Sequence, residues 1–252
     1  MPITKSDLCL GPDHLERKLS SRFEKKLEKD QRLNLYKQLI NEADWRSRDS
    51  RTRKFCLGYL NHQAARLAID LAEKMHFREV ALQHYLDFIR RKAVSEEQFF
   101  ACFSAGVLSE ALELPWKGTE QQFLMAYEMR PKRGEPISRI IEYYISRQQW
   151  AIAFLFSSSA KDFFFGGLPK KEKWGVDESF YNWRVLHLHA AACYSLGKRS
   201  EATETFGLLY SLTQNEPGLF LQEEIDRISS QKSLFPEFEI YVKNSPQFHL
   251  QK

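Results

Sequence analysis

The sequence predicts an all-α protein built as a solenoid of antiparallel helical hairpins. The chain has 252 residues but only 11 Gly and 9 Pro, which suits long helices joined by short turns. Apolar side chains recur at helical spacing along most of the chain, and no stretch alternates over several β-branched residues as a strand does. Hydrophobic residues make up 43% and charged residues 28%, a composition typical of a folded protein.

The first 50 residues are predicted to form a basic amphipathic helical segment. An apolar stripe runs through residues 15–40, with Lys and Glu on the other face. Residues 1–54 contain 14 Lys/Arg and 9 Asp/Glu, a balance of +5, although the whole chain carries only +4. This charge either favours an anionic partner or simply solvates a helix face.

Residues 51–230 are predicted to form a domain of paired helices, and residues 231–252 a tail. Ser95 is expected to cap a helix and Pro217 to open the last one, which ends near residue 230. The tail is expected to dock through Phe235, Phe238 and Tyr241. The interruption at 162–179 has a length that is often functional. The predicted helices are 62–75, 77–91, 95–113, 118–129, 136–147, 149–161, 180–196 and 198–212.

A degenerate repeat runs through the second helix of each predicted pair. In tetratricopeptide repeats this helix carries a small residue, an aromatic one four positions later and a small one three after that. Small residues allow close helix approach, and the larger side chain fills the groove between helices. The matching sets are Ala81/Tyr85/Phe88, Thr119/Phe123/Ala126, Ala151/Leu155/Ser158 and Ala202/Phe206/Leu209. Phe88 and Leu209 are large at the last position, and the set that begins at Ala151 fits more loosely.

No catalytic, cofactor or metal site is predicted. Motifs for phosphate cradles, dinucleotide binding, zinc peptidases and serine hydrolases are missing from the sequence. His187 and His189 are two residues apart on a predicted helix, which sends them to different faces. Gly166-Gly167 is interpreted as a helix breaker. The four cysteines form no C-x-x-C pair and are expected to be free thiols: Cys9, Cys56, Cys102 and Cys193.

Two sequence blocks are candidates for binding. Arg130, Arg133 and Arg147 either form an anion-binding cluster or pair internally with Glu135 and Glu142. The block Tyr181-Asn182-Trp183-Arg184 offers either an aromatic floor for a sugar or peptide, or packing between helices. The candidate binding residues are Arg130, Arg133, Glu135, Tyr143, Arg147, Tyr181, Trp183 and Arg184.

The sequence resembles the tetratricopeptide-like helical region that commonly follows a family 2 glycosyltransferase domain in bacterial proteins. The resemblance covers about residues 50–210. Its elements are Arg51…Phe55-x-Leu57-Gly58, Ala81…Tyr85, Glu96-Glu97-x-Phe99, Arg130-Pro131-x-Arg133-x-Glu135-Pro136, Tyr143-Tyr144, Trp150-x-Ile152-Ala153, Trp174-x-Val176-Asp177, Tyr181-x-Trp183-Arg184 and Tyr194…Gly197-Lys198-Arg199-x-Glu201-Ala202.

The chain departs from this family in two places. The roughly 50 residues before the match lack the Asp-x-Asp-type motif of the catalytic domain, and His187-Leu188 stands where the family has an acidic pair. The resemblance therefore implies an accessory helical module and not an active transferase.

The leading interpretation is a non-enzymatic scaffold that binds a protein or peptide, and the resemblance implies an accessory role in a glycosyltransferase or cell-surface glycan pathway. The alternative is a component that binds a glycan or nucleotide-sugar and acts with a glycosyltransferase in trans. Attachment to nucleic acid or an anionic membrane through the basic segment is a third reading, with nucleic acid the least favoured partner. No transmembrane segment or secretory signal is predicted, so a cytoplasmic location is expected, with export by another route left open. The oligomeric state is not predicted.

Overall fold

The computed structural model describes residues 28–42, 50–90, 95–169, 175–235 and 237–239. Over these ranges the protein is all-helical and contains no strand, which confirms the predicted class. The α-helices are α1 (Lys29–Glu42), α2 (Ser50–Leu67), α3 (Leu71–Ile89), α4 (Glu96–Ala111), α5 (Trp116–Met129), α6 (Glu135–Ser146), α7 (Trp150–Phe164), α8 (Val185–Ser195), α9 (Arg199–Asn215) and α10 (Gln222–Ser230).

The chain divides into two compact units, residues 1–129 and 130–252. The first unit contains α1 to α5, and each helix packs on its neighbours in sequence. Apolar side chains of α1, among them Leu33, Tyr36 and Leu39, are buried in its core. The part of the predicted amino-terminal helix before residue 28 lies outside the described residues.

Glycines let the helices of the first unit approach closely at two places. A Cβ atom on Gly58 of α2 would lie 2.9 Å from the ring of Tyr85 in α3. One on Gly106 of α4 would lie 2.5 Å from the ring of Phe123 in α5. Both aromatic rings are fully buried. The aromatic positions of the first two repeat sets therefore pack against glycines of the preceding helix.

The second unit contains α6 to α10. Helix α6 packs on α7, α7 on α8, and α8 on α9. Five residues, Phe180–Arg184, form a π-helical turn that leads into α8. Short 3₁₀ turns flank α10 at Pro217–Leu219 and Lys232–Leu234.

The aromatic residues of the carboxyl-terminal segment dock on α9. The rings of Phe235 and Phe206 stack with centroids 4.2 Å apart, and the Phe238 ring lies 5.1 Å from Tyr210. Both Phe235 and Phe238 are buried, as the sequence predicts. Tyr241 lies outside the described residues.

The predicted turn at His76 is wrong, because His76 lies inside α3. The break falls instead at residues 68–70, where the Asp70 carboxylate accepts a hydrogen bond from the Glu73 N–H at 2.7 Å and caps α3. A second capping prediction is confirmed: the Ser95 hydroxyl accepts from the Gln98 N–H at 3.1 Å. Pro217 opens only a 3₁₀ turn, and α10 begins at Gln222.

The third repeat set is also wrong, because its frame is shifted by two residues. Ala151 and Leu155 are exposed, whereas Ala153, Ser157 and Ala160 of the same helix are buried. The residue types favour the first frame, in which Leu155 is the larger side chain, whereas the second frame has only Ser157 at that position. Only packing against α6 and α8 selects the second one.

No helix in the described ranges combines the length and the apolar character that crossing a lipid bilayer requires.

Candidate functional site

Three of the predicted binding residues meet in a buried network beside the first turn of α6. The Arg133 Nε–H donates to the Glu135 carboxylate at 2.9 Å, and both side chains are almost completely buried. The Tyr181 hydroxyl donates to the same carboxylate oxygen at 3.1 Å. This is the internal arginine–glutamate pairing that the sequence left open as an alternative to ligand binding.

Gly134 brings the backbone close to this network. Its N–H donates to the Tyr181 phenolic oxygen at 2.7 Å. A Cβ atom at this position would lie 2.5 Å from the Phe180 ring, so the close approach requires glycine. Burial raises the pKa of Tyr181, and the negative Glu135 raises it further. The phenol therefore stays protonated and uses its oxygen both as acceptor and as donor.

The network also holds the last part of the 162–179 interruption. The Asp177 N–H donates to the second oxygen of Glu135 at 3.1 Å. The Arg133 Nη2 group donates to the Gly175 carbonyl at 3.2 Å. Because one buried carboxylate accepts from a side-chain cation, a phenol and a backbone amide, it fixes this segment onto α6.

Arg184, whose side chain is partly exposed, makes a second set of contacts. Its Nη2 group donates to the Asp177 carboxylate at 2.5 Å and to the Ser138 hydroxyl at 2.9 Å. Its Nε atom lies 3.5 Å from a Glu142 oxygen. Arg184 thus joins the π-helical turn to α6, with a carboxylate on either side of the guanidinium.

Trp183 is buried, and its ring lies against Phe220 with centroids 5.1 Å apart. The indole N–H has no hydrogen-bond partner among the described residues. A sugar that stacks on this ring needs Phe220 to move first. The binding role of Trp183 stays a prediction.

The predicted arginines do not form one cluster. Arg133 precedes α6 and Arg147 follows it, and a helix of 12 residues separates their backbones by about 18 Å. The Arg147 guanidinium lies over the ring of Tyr143, 5.4 Å from its centroid. Arg130 is half-buried in the turn before Arg133. A ligand role for Arg130, Tyr143 and Arg147 stays a prediction.

A second polar cluster joins α7, α8 and α9. The His189 Nδ1 atom lies 3.0 Å from the Ser157 hydroxyl, and its Nε2 atom lies 3.1 Å from a Glu201 oxygen. The Cys193 sulfur lies 3.4 Å from the same Nε2 atom. His189 and Cys193 are fully buried, whereas the Glu201 side chain is about one third exposed.

Burial keeps the imidazole and the thiol of this cluster neutral. Desolvation lowers the pKa of His189, and the charge of Lys161 lowers it further, against the raising effect of Glu201. Desolvation raises the pKa of Cys193 to about 11, with Glu201 adding to the rise. The exposed edge of the cluster is the Glu201 carboxylate, whose other oxygen lies 3.6 Å from the Lys198 ammonium.

Sequence reasoning missed this cluster, although part of the signal was present. His189 and Cys193 are four residues apart, which places them on the same face of a helix. Only the pair His187 and His189, two residues apart, was considered for metal binding from the sequence. Glu201 comes from the next helix, and only the tight turn Leu196–Lys198 between α8 and α9 brings it to the same place.

An exposed apolar stripe runs along the outer side of α7. Ile152, Leu155 and Phe163 are 37%, 66% and 60% exposed, and Ser159 lies between the last two on the same face. Their spacing of 3, 4 and 4 residues follows the helical repeat. The buried residues of α7 lie on a different face of the helix.

Comparisons of the chain with protein-family models, with curated proteins and with solved structures gave no significant match.

Proposed function

We propose that this protein is a non-catalytic scaffold that binds another protein through the exposed stripe of α7. The fold proposed for it is a tetratricopeptide-like solenoid of antiparallel hairpins. Two features support that fold. Short turns join consecutive helices that pack together, and the second helix of the pairs α2–α3 and α4–α5 places a buried aromatic against a glycine of the first.

The observation that carries the binding proposal is the stripe of Ile152, Leu155 and Phe163. Exposed apolar side chains are common one at a time, but a row of them at helical spacing is typical of an interaction surface. Covering such side chains removes apolar surface from water, worth about 1.5–3 kcal/mol for a fully buried Leu or Phe. A partner that covers all three therefore gains useful affinity without any polar recognition.

The proposed occupant is an amphipathic helix of a partner protein. The stripe extends 11 residues along α7, about 16 Å, which equals three helical turns. A partner helix with apolar side chains on one face over three turns matches this length and spacing. The resemblance to glycosyltransferase-linked modules makes a glycosyltransferase acting in trans the first partner to test.

The polar network around Glu135 supports a structural and not a catalytic role for the residues of the Arg-Pro-Arg-Glu block. Arg133 and Tyr181 both donate to Glu135, and all three side chains are buried. The proposal therefore assigns these residues to fixing the unit that presents α7.

The test compares two variants in affinity capture from a lysate of the source cell. In the first variant, Leu155→Glu and Phe163→Glu place charges on the stripe. The control is Leu221→Glu, at a residue that is 62% exposed in the same unit but outside α7. All proteins are first checked for folding by circular dichroism and for oligomeric state by light scattering.

The proposal predicts one or more proteins that the wild type and Leu221→Glu retain and the double variant loses. A photo-crosslinker at position 155 should then join the same protein, and one at position 221 should not. Equal retention by both variants would reject the stripe as the site. A chain that captures only itself, or only a glycan, would reject the proposed partner class.

A further inference from the structure

The His189–Cys193–Glu201 cluster brings together three side chains that bind transition metals. Each offers one ligand atom, and the three atoms all lie within 4.8 Å of one another. The residues come from two helices and are held by packing on a third, so their backbone positions are set by the core of the second unit. This inference is independent of the α7 stripe and of any protein partner.

The distances suit a tetrahedral ion. A Zn²⁺ ion binds imidazole nitrogen at about 2.0–2.1 Å and thiolate sulfur at about 2.3 Å, which places neighbouring ligand atoms about 3.5 Å apart. The Nε2 atom of His189 is 3.4 Å from the Cys193 sulfur and 3.1 Å from the Glu201 oxygen. The sulfur also lies 3.9 Å from Nδ1, which places it beside the imidazole ring, so the Cys193 side chain must rotate to bring its thiolate to an ion bound at Nε2.

Ser157 orients the His189 imidazole through its contact with Nδ1, the ring nitrogen that does not face Glu201. Its hydroxyl donates to the Phe154 carbonyl at 3.3 Å, so its oxygen is free to accept from the His189 Nδ1–H at 3.0 Å. In that tautomer Nε2 carries a lone pair, and an oxygen of the Glu201 carboxylate lies 3.1 Å from it. A lone pair and a carboxylate 3.1 Å apart repel each other unless a cation lies between them.

Hydrogen bonding of the second imidazole nitrogen to an uncharged or anionic acceptor is the common arrangement for histidines that bind metal. The other tautomer places a proton on Nε2, which then donates to Glu201. When the ion binds, the imidazole proton shifts from Nε2 to Nδ1, where it is donated to Ser157, and the Cys193 thiol releases its proton to water, so one proton leaves for each ion bound.

Charge and access also fit a divalent ion. A thiolate and a carboxylate carry two negative charges, which one divalent cation neutralises, so the loaded site places no net charge in the interior. The Glu201 side chain reaches the surface and provides an entry path, while His189 and Cys193 lie behind it. The Lys198 ammonium contacts the Glu201 oxygen that faces away from His189, so it does not fill the place of the ion.

We propose that His189, Cys193 and Glu201 form a binding site for one borderline-soft divalent cation, with Zn²⁺ as the first candidate and water as the fourth ligand. The mixed nitrogen, sulfur and oxygen donor set selects against Mg²⁺ and Ca²⁺, which prefer oxygen alone. Three protein ligands with one open position are typical of a zinc site that exchanges a ligand.

The experiment titrates the full, tag-free chain with Co²⁺ after reduction and chelator removal. Thiolate ligation produces a near-ultraviolet charge-transfer band, and a tetrahedral site produces intense visible bands. Zn²⁺ should then displace Co²⁺ and abolish both signals. The expected stoichiometry is one ion per chain, and Zn²⁺ should raise the Tm.

Variants assign the signals to the proposed ligands. Cys193→Ser should remove the charge-transfer band, and Glu201→Gln should weaken binding while leaving that band. Ser157→Ala should weaken binding about 10- to 100-fold, the usual effect of losing a hydrogen-bond partner of a metal-bound histidine. Cys56→Ala is the matched control, since it removes a buried thiol in the other unit and should change nothing.

Glu201→Gln keeps the test valid if Cys193→Ser does not fold, because Glu201 reaches the surface and the substitution keeps its shape. Failure of the wild type to produce a charge-transfer band would overturn the proposal. So would binding that Glu201→Gln leaves unchanged, or a band that Cys56→Ala removes.

Discussion

Replacing Gly106 with alanine tests whether close helix approach holds the first unit together. The added Cβ atom would lie 2.5, 2.7 and 2.9 Å from three carbon atoms of the Phe123 ring. That ring is fully buried and rigid, so α4 and α5 must separate or the ring must leave its rotamer. Overpacking of this kind costs about 1–3 kcal/mol. Alanine gains back about 0.5–1 kcal/mol as the better helix former, and the expected net loss is about 0–2.5 kcal/mol.

Gly118→Ala is the matched control, because Gly118 also lies in a helix but has no atom within 4 Å of its added Cβ. It should leave stability unchanged or raise it by up to about 1 kcal/mol. The assay is urea unfolding at 25 °C followed by circular dichroism, with hydrogen exchange to locate the loss in α4 and α5. Adding Phe123→Leu to Gly106→Ala should recover part of the loss through a coupling between the two sites. Equal stability of the two glycine variants would refute the packing argument.

Three further predictions concern polar groups. Glu135→Gln removes the carboxylate charge that pairs with the buried Arg133 guanidinium and should destabilise the chain by about 3–5 kcal/mol in urea unfolding; a loss below about 1 kcal/mol would contradict the proposed role of the pair. Burial, with nearby arginine charges, lowers the pKa of His62 from 6.5 to about 4. The folded state therefore prefers the neutral ring. The contribution of His62 to stability is fully present above pH 6.5 and should be lost as the pH drops towards 4. The loss is at most about 3 kcal/mol at 1.36 kcal/mol per pH unit, and it is smaller because the residue is only half-buried. His62→Gln should flatten this part of the pH–stability curve, and an unchanged slope would show that other groups cause it. Asp70→Ala removes the cap of α3 and should cost about 0.5–2 kcal/mol by thermal unfolding, whereas Asp70→Ser should restore most of the loss.

The helical class and most helices could be predicted because the signals are local. Ser95 caps α4 through its own hydroxyl, and residues 81, 85 and 88 of α3 are buried at helical spacing as the repeat predicts. The break between α2 and α3 was misplaced because His76 carries no helix-breaking chemistry, while the Asp70 cap was not recognised. In α7 the residue types favour the frame that starts at residue 151, whereas the frame that starts at residue 153 is the buried one. Local information selects the wrong frame here, since burial depends on the neighbouring helices.

The polar network could be predicted in its members but not in its connections. The sequence identified Arg133, Glu135, Tyr181 and Arg184 as important and offered internal pairing as one alternative for the arginines. It could not show that Tyr181, 46 residues away from Glu135, would donate to that carboxylate. Contacts at this separation depend on how the π-helical turn directs its side chains, which spacing in the sequence does not encode.

The strongest sequence motif, the block of residues 130–136, is consequently poorly placed to bind a partner, because its side chains already pair inside the second unit. Buried hydrogen bonds connect Arg133, Glu135 and Tyr181, so a ligand must break these bonds to reach the side chains. Each buried donor or acceptor that is left without its partner costs about 1–3 kcal/mol. The α7 stripe lies under no such constraint, because Leu155 and Phe163 are largely exposed and make no polar bond that binding would break. Residues that fix a fold and residues that meet a partner have opposite requirements for burial. For this reason the binding surface is expected on the apolar outer side of α7 and not at the charged block that first attracts notice in the sequence.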